Sequence, residues 1–411
     1  MKKGTIRDME TIFSGVKVID FTSNLAGPGA TALLADFGAE VIKVERPVAG
    51  DDIRGIAPRI EGQAIFSTFT NRGKKSVTLA LDDPDSIKIL RMMIADADVI
   101  IESFKPGAMK KFGLDYDSVI QTKPDIIYCS ISACGQTGAN SKKPGFDIIA
   151  QGMSGLMDLT GDPSGPPTKS GSTVGDYIGG INAFGAIASA LYYRLRKGEG
   201  QYIDIALLDG LVAINSSIEG AATLGMDPHR IGNHHTNMAP YGVFNGKNGQ
   251  SVIIAAYTGS MWPKLCQVMG RPDCIEDPDL SSNASRVANL EKLIRTIELW
   301  LGTFDDINDA ASLLATAGVA CCKTRTTKEV VNDPALWERG TLVEVELPPS
   351  FKKYSTVKRR GPWIKFSKTP AKISRSCDLG EHNYEVLGKY GLSNRDIDEL
   401  QNRWNDKFKK Q

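Results

Sequence analysis

The chain has 411 residues, 41% of them hydrophobic and 24% charged, which excludes a disordered or fibrous protein and leaves room for two hydrophobic cores. Its 49 basic and 48 acidic residues give a net charge of +1, so no global field draws nucleic acid or an anionic membrane, and any basic site must be local. Seven scattered cysteines with no CxxC pair argue against a disulfide framework, and four histidines (His229, His234, His235, His382) leave little for metal or Ser-His chemistry.

The opening "MKKGTIRDMETIFSGVKVIDF" interrupts its apolar residues with acids, so no export signal is expected and a reducing cytoplasm fits the free thiols. Short β-branched runs follow: "VKVIDF" (16–21), "EVIKVE" (40–45), "SVTLAL" (76–81), "DVIIESF" (98–104) and "DIIYCSISACG" (125–135). Helical patterns such as "GATALLADFGA" and "DSIKILRMMIADA" lie between several of them, and this alternation predicts an α/β fold with a parallel sheet. Ligands of such sheets bind outside the carboxyl ends of the strands. The turns of interest are therefore "TSNLAGPGAT", "RPVAGDDIRG", "TNRGKKS", "ESFKPGAMKK" and "SACGQTGANSKKPGFD". Four of the five are basic, through Arg46, Arg54, Arg72, Lys74, Lys75, Lys105, Lys110, Lys111, Lys142 and Lys143, which suggests a phosphorylated ligand, although solvated surface charge accounts for many such residues. "LAGPGA" lacks the G-x-G-x-x-G spacing, so a nicotinamide site is not expected.

In "KSGSTVGDYIGG" (169–180), Asp176 stands just before a run with helical spacing that ends in basic residues and glycine, as an N-cap residue would. Residues 177–193 are too short and too rich in glycine and Asn182 for a membrane span, and predict a packed internal helix. "GQYIDIALLDGLVAINSSIEGAATLG" reads as strand then helix, and "DPHRIGNHHTNMAPYG" as a polar linker. Near Pro240 the composition changes: a hairpin ("YGVFNGKNGQSVIIAAY") and amphipathic helices ("SRVANLEKLIRTIELWLGTF", "INDAASLLATAG") predict a smaller α+β domain. From "LVEVELPPS" strands and loops return, and the end reads as helix, glycine turn, helix. His234 and His235 lack further metal ligands at standard spacing and read as pocket-lining loop residues; no metal is expected. Cys321 and Cys322 read as small hydrophobes on a buried strand edge.

Together, "VKVIDFTSNLAGPGATALLADFGAEVIKVERPVAGDDIRG", "NRGKKSVTLAL", "DVIIESFKPGAMKKFGLDYDSV", "DIIYCSISACGQTG", "GPPTKSGSTVGDYIGG", "GEGQYIDIALLDGLV" and "LGEHNYEVLGKYGLS" resemble the ordered motifs of the family III CoA-transferases, the group of formyl-CoA transferase and carnitine CoA-transferase. The resemblance implies an interlocked homodimer. In each chain a large Rossmann-like domain (1–225) would be followed by a small α+β domain (226–335) and a segment returning to the large domain (336–411). It implies that Asp176 is a nucleophile that forms an acyl-aspartyl anhydride and then an aspartyl-CoA thioester, a route that needs no imidazole. Gly175, Gly179 and Gly180 would let substrate and amides approach it, with the helix N-terminus stabilising oxyanions.

By position, Ala26, Arg46, Lys75, Phe104 and Lys111 match residues that contact CoA in the family. No permanently bound cofactor is implied, with CoA thioesters as substrates, and neither nucleic acid nor a membrane as partner. Ser23 and Leu25 stand where formyl-CoA transferase carries His and Gln, Ser103 replaces an Asn, and "GNHHTNMAPYG" occupies the region of a shielding glycine-run loop. Asn24, Leu25, Phe146, His234, His235, Asn237 and Tyr241 are the candidate pocket residues. Two alternatives are a proton-moving α-methylacyl-CoA racemase and a non-catalytic acyl-CoA binder. The racemase branch needs a His where this chain has Phe146.

Overall fold

The computed structural model describes residues 11–409, so the first part of the segment where no export signal is expected lies outside the described residues. The chain divides into two compact units. One runs through Leu156, resumes over Ser170–Ile218 and again from Pro334; the other comprises Met157–Lys169 and Glu219–Asp333.

The larger unit is built on six parallel strands, β1 (Lys17–Phe21), β2 (Glu40–Glu45), β3 (Lys75–Thr78), β4 (Val99–Glu102), β5 (Ile127–Ser132) and β6 (Gln201–Ala206), in the order β3-β2-β1-β4-β5-β6. Register is set by pairs such as Val18 with Val41 and Val99, and Val99 with Ile127. Because side chains alternate along a strand, Val18, Val99, Ile101, Ile127 and Cys129 enter one core, while Ile19, Ile42, Val77, Ile100 and Tyr128 enter a second on the opposite face.

Helices cover both faces. The first core is closed by α1 (Ala26–Asp36), α4 (Val174–Lys197) and α5 (Leu207–Ala213), and the helix α3 (Asp147–Met153) leans on the same group. The second is closed by α2 (Pro84–Ala95), α8 (Asn383–Gly388) and α9 (Asn394–Lys409), the last anchored by the fully buried Trp404. Burial of one such large apolar side chain contributes about 1.5–3 kcal/mol, so the C-terminal helices are held by packing. A hairpin of β10 (Leu342–Glu346) and β11 (Thr356–Arg360) completes this unit.

The smaller unit holds an antiparallel sheet, β7 (Tyr241–Asn245), β8 (Ser251–Ala255) and β9 (Ala320–Lys323), in the order β9-β8-β7. Its core includes α6 (Leu290–Leu301) and α7 (Ile307–Thr316). Cys321 and Cys322 lie on β9 as expected for a strand, but β9 is an edge strand whose alternation leaves Cys322 exposed, correcting the expectation that both are buried.

No helix among the described residues is long and apolar enough to cross a membrane. α4 packs one side on α1 and the sheet, while Ile181, Tyr192, Tyr193 and Leu195 on its other side are exposed in this chain.

Candidate active site

In the parallel sheet the carboxyl ends of β1 and β4 are neighbours, and the strand order reverses there. The loop after β1 leads into α1, and α1 packs along α4 so that the first turn of α1 meets the second turn of α4. A Cβ on Gly180 would come within 2.7 Å of the Ala26 carbonyl oxygen, and one on Gly179 within 2.4 Å of Leu207. These glycines therefore admit protein packing partners, which corrects the expectation that they clear a path for substrate.

Asp176 does not cap α4. The helix starts two residues earlier, at Val174, and the capping carboxylate comes from Asp147, at the start of α3. Asp147 Oδ1 accepts the amides of Gly175 (2.7 Å) and Asp176 (3.2 Å), and its Oδ2 accepts Gln151 Nε2 at 2.6 Å. Gln151 Oε1 in turn accepts the Ser170 amide at 2.9 Å, fastening the approach to the helix. Gly175 makes room for this cap, since a Cβ there would lie 2.9 Å from Asp147 Oδ1 and 2.9 Å from Leu211. The amides of Val174 and Tyr177 are bonded to the carbonyls of Ser172 and Thr173. The first turn of α4 thus has no free amide for an oxyanion, another departure from expectation. The amides of Leu25, Ala26 and Gly27, where α1 begins, meet no acceptor among the described residues.

The Asp176 carboxylate is half-buried, accepts no hydrogen bond and meets no cation among the described residues. Burial, and then repulsion from Asp147, lift its pKa from 3.8 to about 7. A carboxylate held this way gains nothing for the fold, and its lone pairs are left for chemistry.

The loop after β1 rests on buried charge. Asp51 Oδ1 accepts the amide of Asn24, a residue at φ +65°, and Asp51 Oδ2 pairs with Lys43 at 2.8 Å. Lys43 also donates to the Thr22 carbonyl at 2.8 Å. Leu25 is buried ahead of α1, and its side chain has no polar group to offer a ligand.

The basic loops separate into two groups. Arg54 is consumed by a two-pronged pair with Glu45 (both 2.7 Å), Arg72 by Asp36 (2.6 Å) and Lys74 by Asp20 (3.0 Å). Lys75 is drawn to the wrong end of the sheet for the expected site. "TNRGKKS" precedes its strand, so Lys75 opens β3 at the amino edge, and it pairs with Glu40 and Glu385, each at 2.7 Å. Arg46 is exposed beside Asp52, at the carboxyl edge.

Lys105, Lys110, Lys111, Lys142 and Lys143, in the loops after β4 and β5, are exposed with no carboxylate partner among the described residues. Phe104 follows β4 and packs half-buried, its amide donating to Glu102 at 2.7 Å. A cavity of about 280 Å³ opens here, lined by Glu102, Lys105, Lys110, Tyr128 and Tyr202 among others; burial pushes the Glu102 carboxyl up to about 7.

Phe146 is 71% exposed at the start of α3. His234, His235 and Tyr241 belong to the smaller unit, where His234 packs on Phe244 (5.1 Å) and His235 on Tyr241 (5.4 Å). Among the described residues no group of three or more His, Cys, Asp or Glu side chains could hold a metal ion. Asp147 is the site residue that sequence reasoning left without a role; "GFD" offers only an acid ahead of a short helix, and its partner amides lie 28 and 29 positions on.

The model of CoA-transferase family III matches residues 13–383. The chain is 36% identical to a succinate–glutarate CoA-transferase of Agrobacterium fabrum, over 92% of this chain and 95% of that protein. It is 37% identical to a succinyl-CoA:mesaconate CoA-transferase of Haloarcula hispanica, over 92% of this chain and 96% of that one. A crystal structure of a CaiB/BaiF family protein from Brucella suis superimposes with a TM-score of 0.82 at 35% identity, over 93% of this chain and 100% of that one.

Proposed function

The chain belongs to CoA-transferase family III, an acyl-CoA:carboxylate CoA-transferase, and we propose that Asp176 carries its chemistry as a covalent nucleophile. An Asp176 oxygen attacks the donor thioester carbonyl; the C–S bond breaks, the CoA thiolate leaves and a mixed anhydride remains. The thiolate attacks the aspartyl carbonyl, releasing the donor acid as carboxylate and leaving an aspartyl-CoA thioester. The acceptor carboxylate then attacks that thioester to form a second anhydride, and the thiolate takes its acyl group, restoring Asp176. No net proton moves. The observation that carries this reading is the unpartnered Asp176 carboxylate, lifted to about 7 on the first turn of α4, one turn before the glycines that meet the start of α1. The open amides of α1 supply the oxyanion donors that α4 lacks.

Arg46, Lys111 and Phe104, joined by Lys105, Lys110, Lys142 and Lys143, form the CoA-binding loops in this reading, and Lys75 is left out. The strand order supports a Rossmann-like larger unit. The exposed apolar residues of α3 and α4 support a homodimer, which we take to be interlocked, in the cytoplasm. The acids named for the two relatives are dicarboxylic, and we assign a dicarboxylic acid, or its CoA monothioester, as substrate.

Proton transfer is disfavoured on the same geometry. Phe146 cannot take a proton, and Asp147 spends both oxygens on the helix amides and Gln151. Intact-mass analysis under saturating acyl-CoA, with borohydride or hydroxylamine trapping, should place a CoA thioester on Asp176. α-Deuteration of a 2-methylacyl-CoA in heavy water with no CoA exchange would instead establish the racemase reading.

A further inference from the structure

Arg360 closes β11, and its guanidinium sits in an aromatic box: 3.7 Å from the Phe69 ring centre, 5.3 Å from Phe66 and 5.4 Å from Tyr177. It donates through one nitrogen to the Tyr177 hydroxyl. No carboxylate among the described residues lies within ion-pair distance of it. The surroundings are positive as well. Arg72 and Arg359 stand close by, and Asp36, which pairs with Arg72 at 2.6 Å, is the acid that faces them. Burial and the neighbouring guanidiniums push Arg359 down to about 10. Ring faces hold a cation but cannot accept its in-plane N–H groups, so the Arg360 nitrogens not engaged with Tyr177 remain a planar fork suited to a carboxylate.

The position matters because Tyr177 is the residue after Asp176, on the first turn of α4. Its hydroxyl carries the cation one tyrosine length from the nucleophile's own backbone. A four- or five-carbon diacid puts about 4–5 Å between its carboxyl carbons with bonds of ~1.5 Å, and a contact of about 3 Å at each end brings its reach to that scale.

We propose that Arg360, with the Tyr177 hydroxyl, binds the far carboxylate of a dicarboxylic substrate while its near carboxyl carbon reacts at Asp176. This rests on the reading of Asp176 as nucleophile and names the residues that select the acid.

The test measures CoA transfer from succinyl-CoA to glutarate and to pentanoate, acids of equal chain length with and without the second carboxylate. It uses the full-length wild type, Arg360→Met, Arg360→Lys and Tyr177→Phe. Wild type should favour glutarate, and Arg360→Met should lower the glutarate-to-pentanoate ratio of kcat/KM about 10- to 100-fold, the weight of a charge-assisted pair. Arg360→Lys, which keeps the charge without the fork, should fall between, and Tyr177→Phe should lower the ratio several-fold.

A merely structural role would reduce transfer to both acids equally, and that outcome overturns the inference, as does wild-type preference for pentanoate. In both cases CoA transfer through Asp176 stands. A wild type that moves CoA to neither acid and forms no Asp176 adduct overturns the underlying reading and this inference with it. Circular dichroism checks the fold of each variant. Should Arg360→Met fail to fold, Arg360→Lys and Tyr177→Phe report the same ratio.

Discussion

Replacing Asp147 with Asn removes a negative charge beside Asp176 while keeping an acceptor oxygen for the helix amides. The Asp176 pKa rises from 3.8 to about 7, burial first and Asp147 second. The whole rise is about 3 pH units (7 − 3.8), so the smaller cause supplies less than half: at most roughly 1.6, or about 2 kcal/mol at 1.36 kcal/mol per unit. The reactive form is the carboxylate. Without Asp147's charge it forms at lower pH, so the acid limb of the rate profile should move down by about 1 pH unit and not reach 4, because burial remains.

The substitution has a cost. An Asn amide placed at Oδ2 would face the Gln151 Nε2 donor, now 2.6 Å away, and Gln151 cannot turn without losing Ser170. A stability loss of about 1–3 kcal/mol is expected from that mismatched donor pair. The assay is kcat/KM for CoA exchange between pH 5 and 9, with fold checked at each pH. A limb that stays in place, or moves upward, would refute the electrostatic argument.

Asp176→Asn should abolish transfer yet stabilise the protein at high pH. The native carboxyl binds its proton more tightly than the unfolded one, so wild-type stability falls as pH rises from about 4 to about 7 and then levels. Asn lacks this loss, and by pH 8 the variant should gain about 1–3 kcal/mol after allowance for partial exposure, read from denaturation at pH 5 and pH 8; a less stable variant at pH 8 contradicts it. Gly180→Ala places a methyl 2.7 Å from the Ala26 carbonyl, so α1 and α4 must separate, at about 1–3 kcal/mol in unfolding experiments and with reduced turnover. An unchanged melting temperature would show that the helices are not in close contact. Lys142→Ala combined with Lys143→Ala should raise KM for acyl-CoA several-fold and flatten its salt dependence, while Lys75→Ala should leave KM unchanged. The reverse ranking would restore Lys75 to the CoA site.

Much of the architecture was legible in the sequence because it is periodic. The five β-branched runs expected for the first half are all strands of the parallel sheet, with ends shifted by a few residues, and the Asn383–Gly388 and Asn394–Lys409 helices sit on the predicted pattern. Periodicity states which face of an element is apolar, while chain order states which end of a strand a loop serves. "TNRGKKS" stands before the strand whether that strand runs over 76–81, as expected, or over Lys75–Thr78, as found, so chain order by itself puts this basic turn at the amino edge.

Sequence alone determined the composition of the cores, the alternation of strands and helices, and a lone Asp in a glycine-rich setting, because each is written within a few turns or strand repeats. Only the tertiary structure decided what that Asp experiences. Its cap is supplied by Asp147, 28 positions before Gly175; the cation next to its turn comes from Arg360, 183 positions beyond Tyr177; and Gly180 is matched to a carbonyl at Ala26. Such pairings depend on which distant segments the sheet order brings together, and a donor cannot be assigned its acceptor until those long loops have closed.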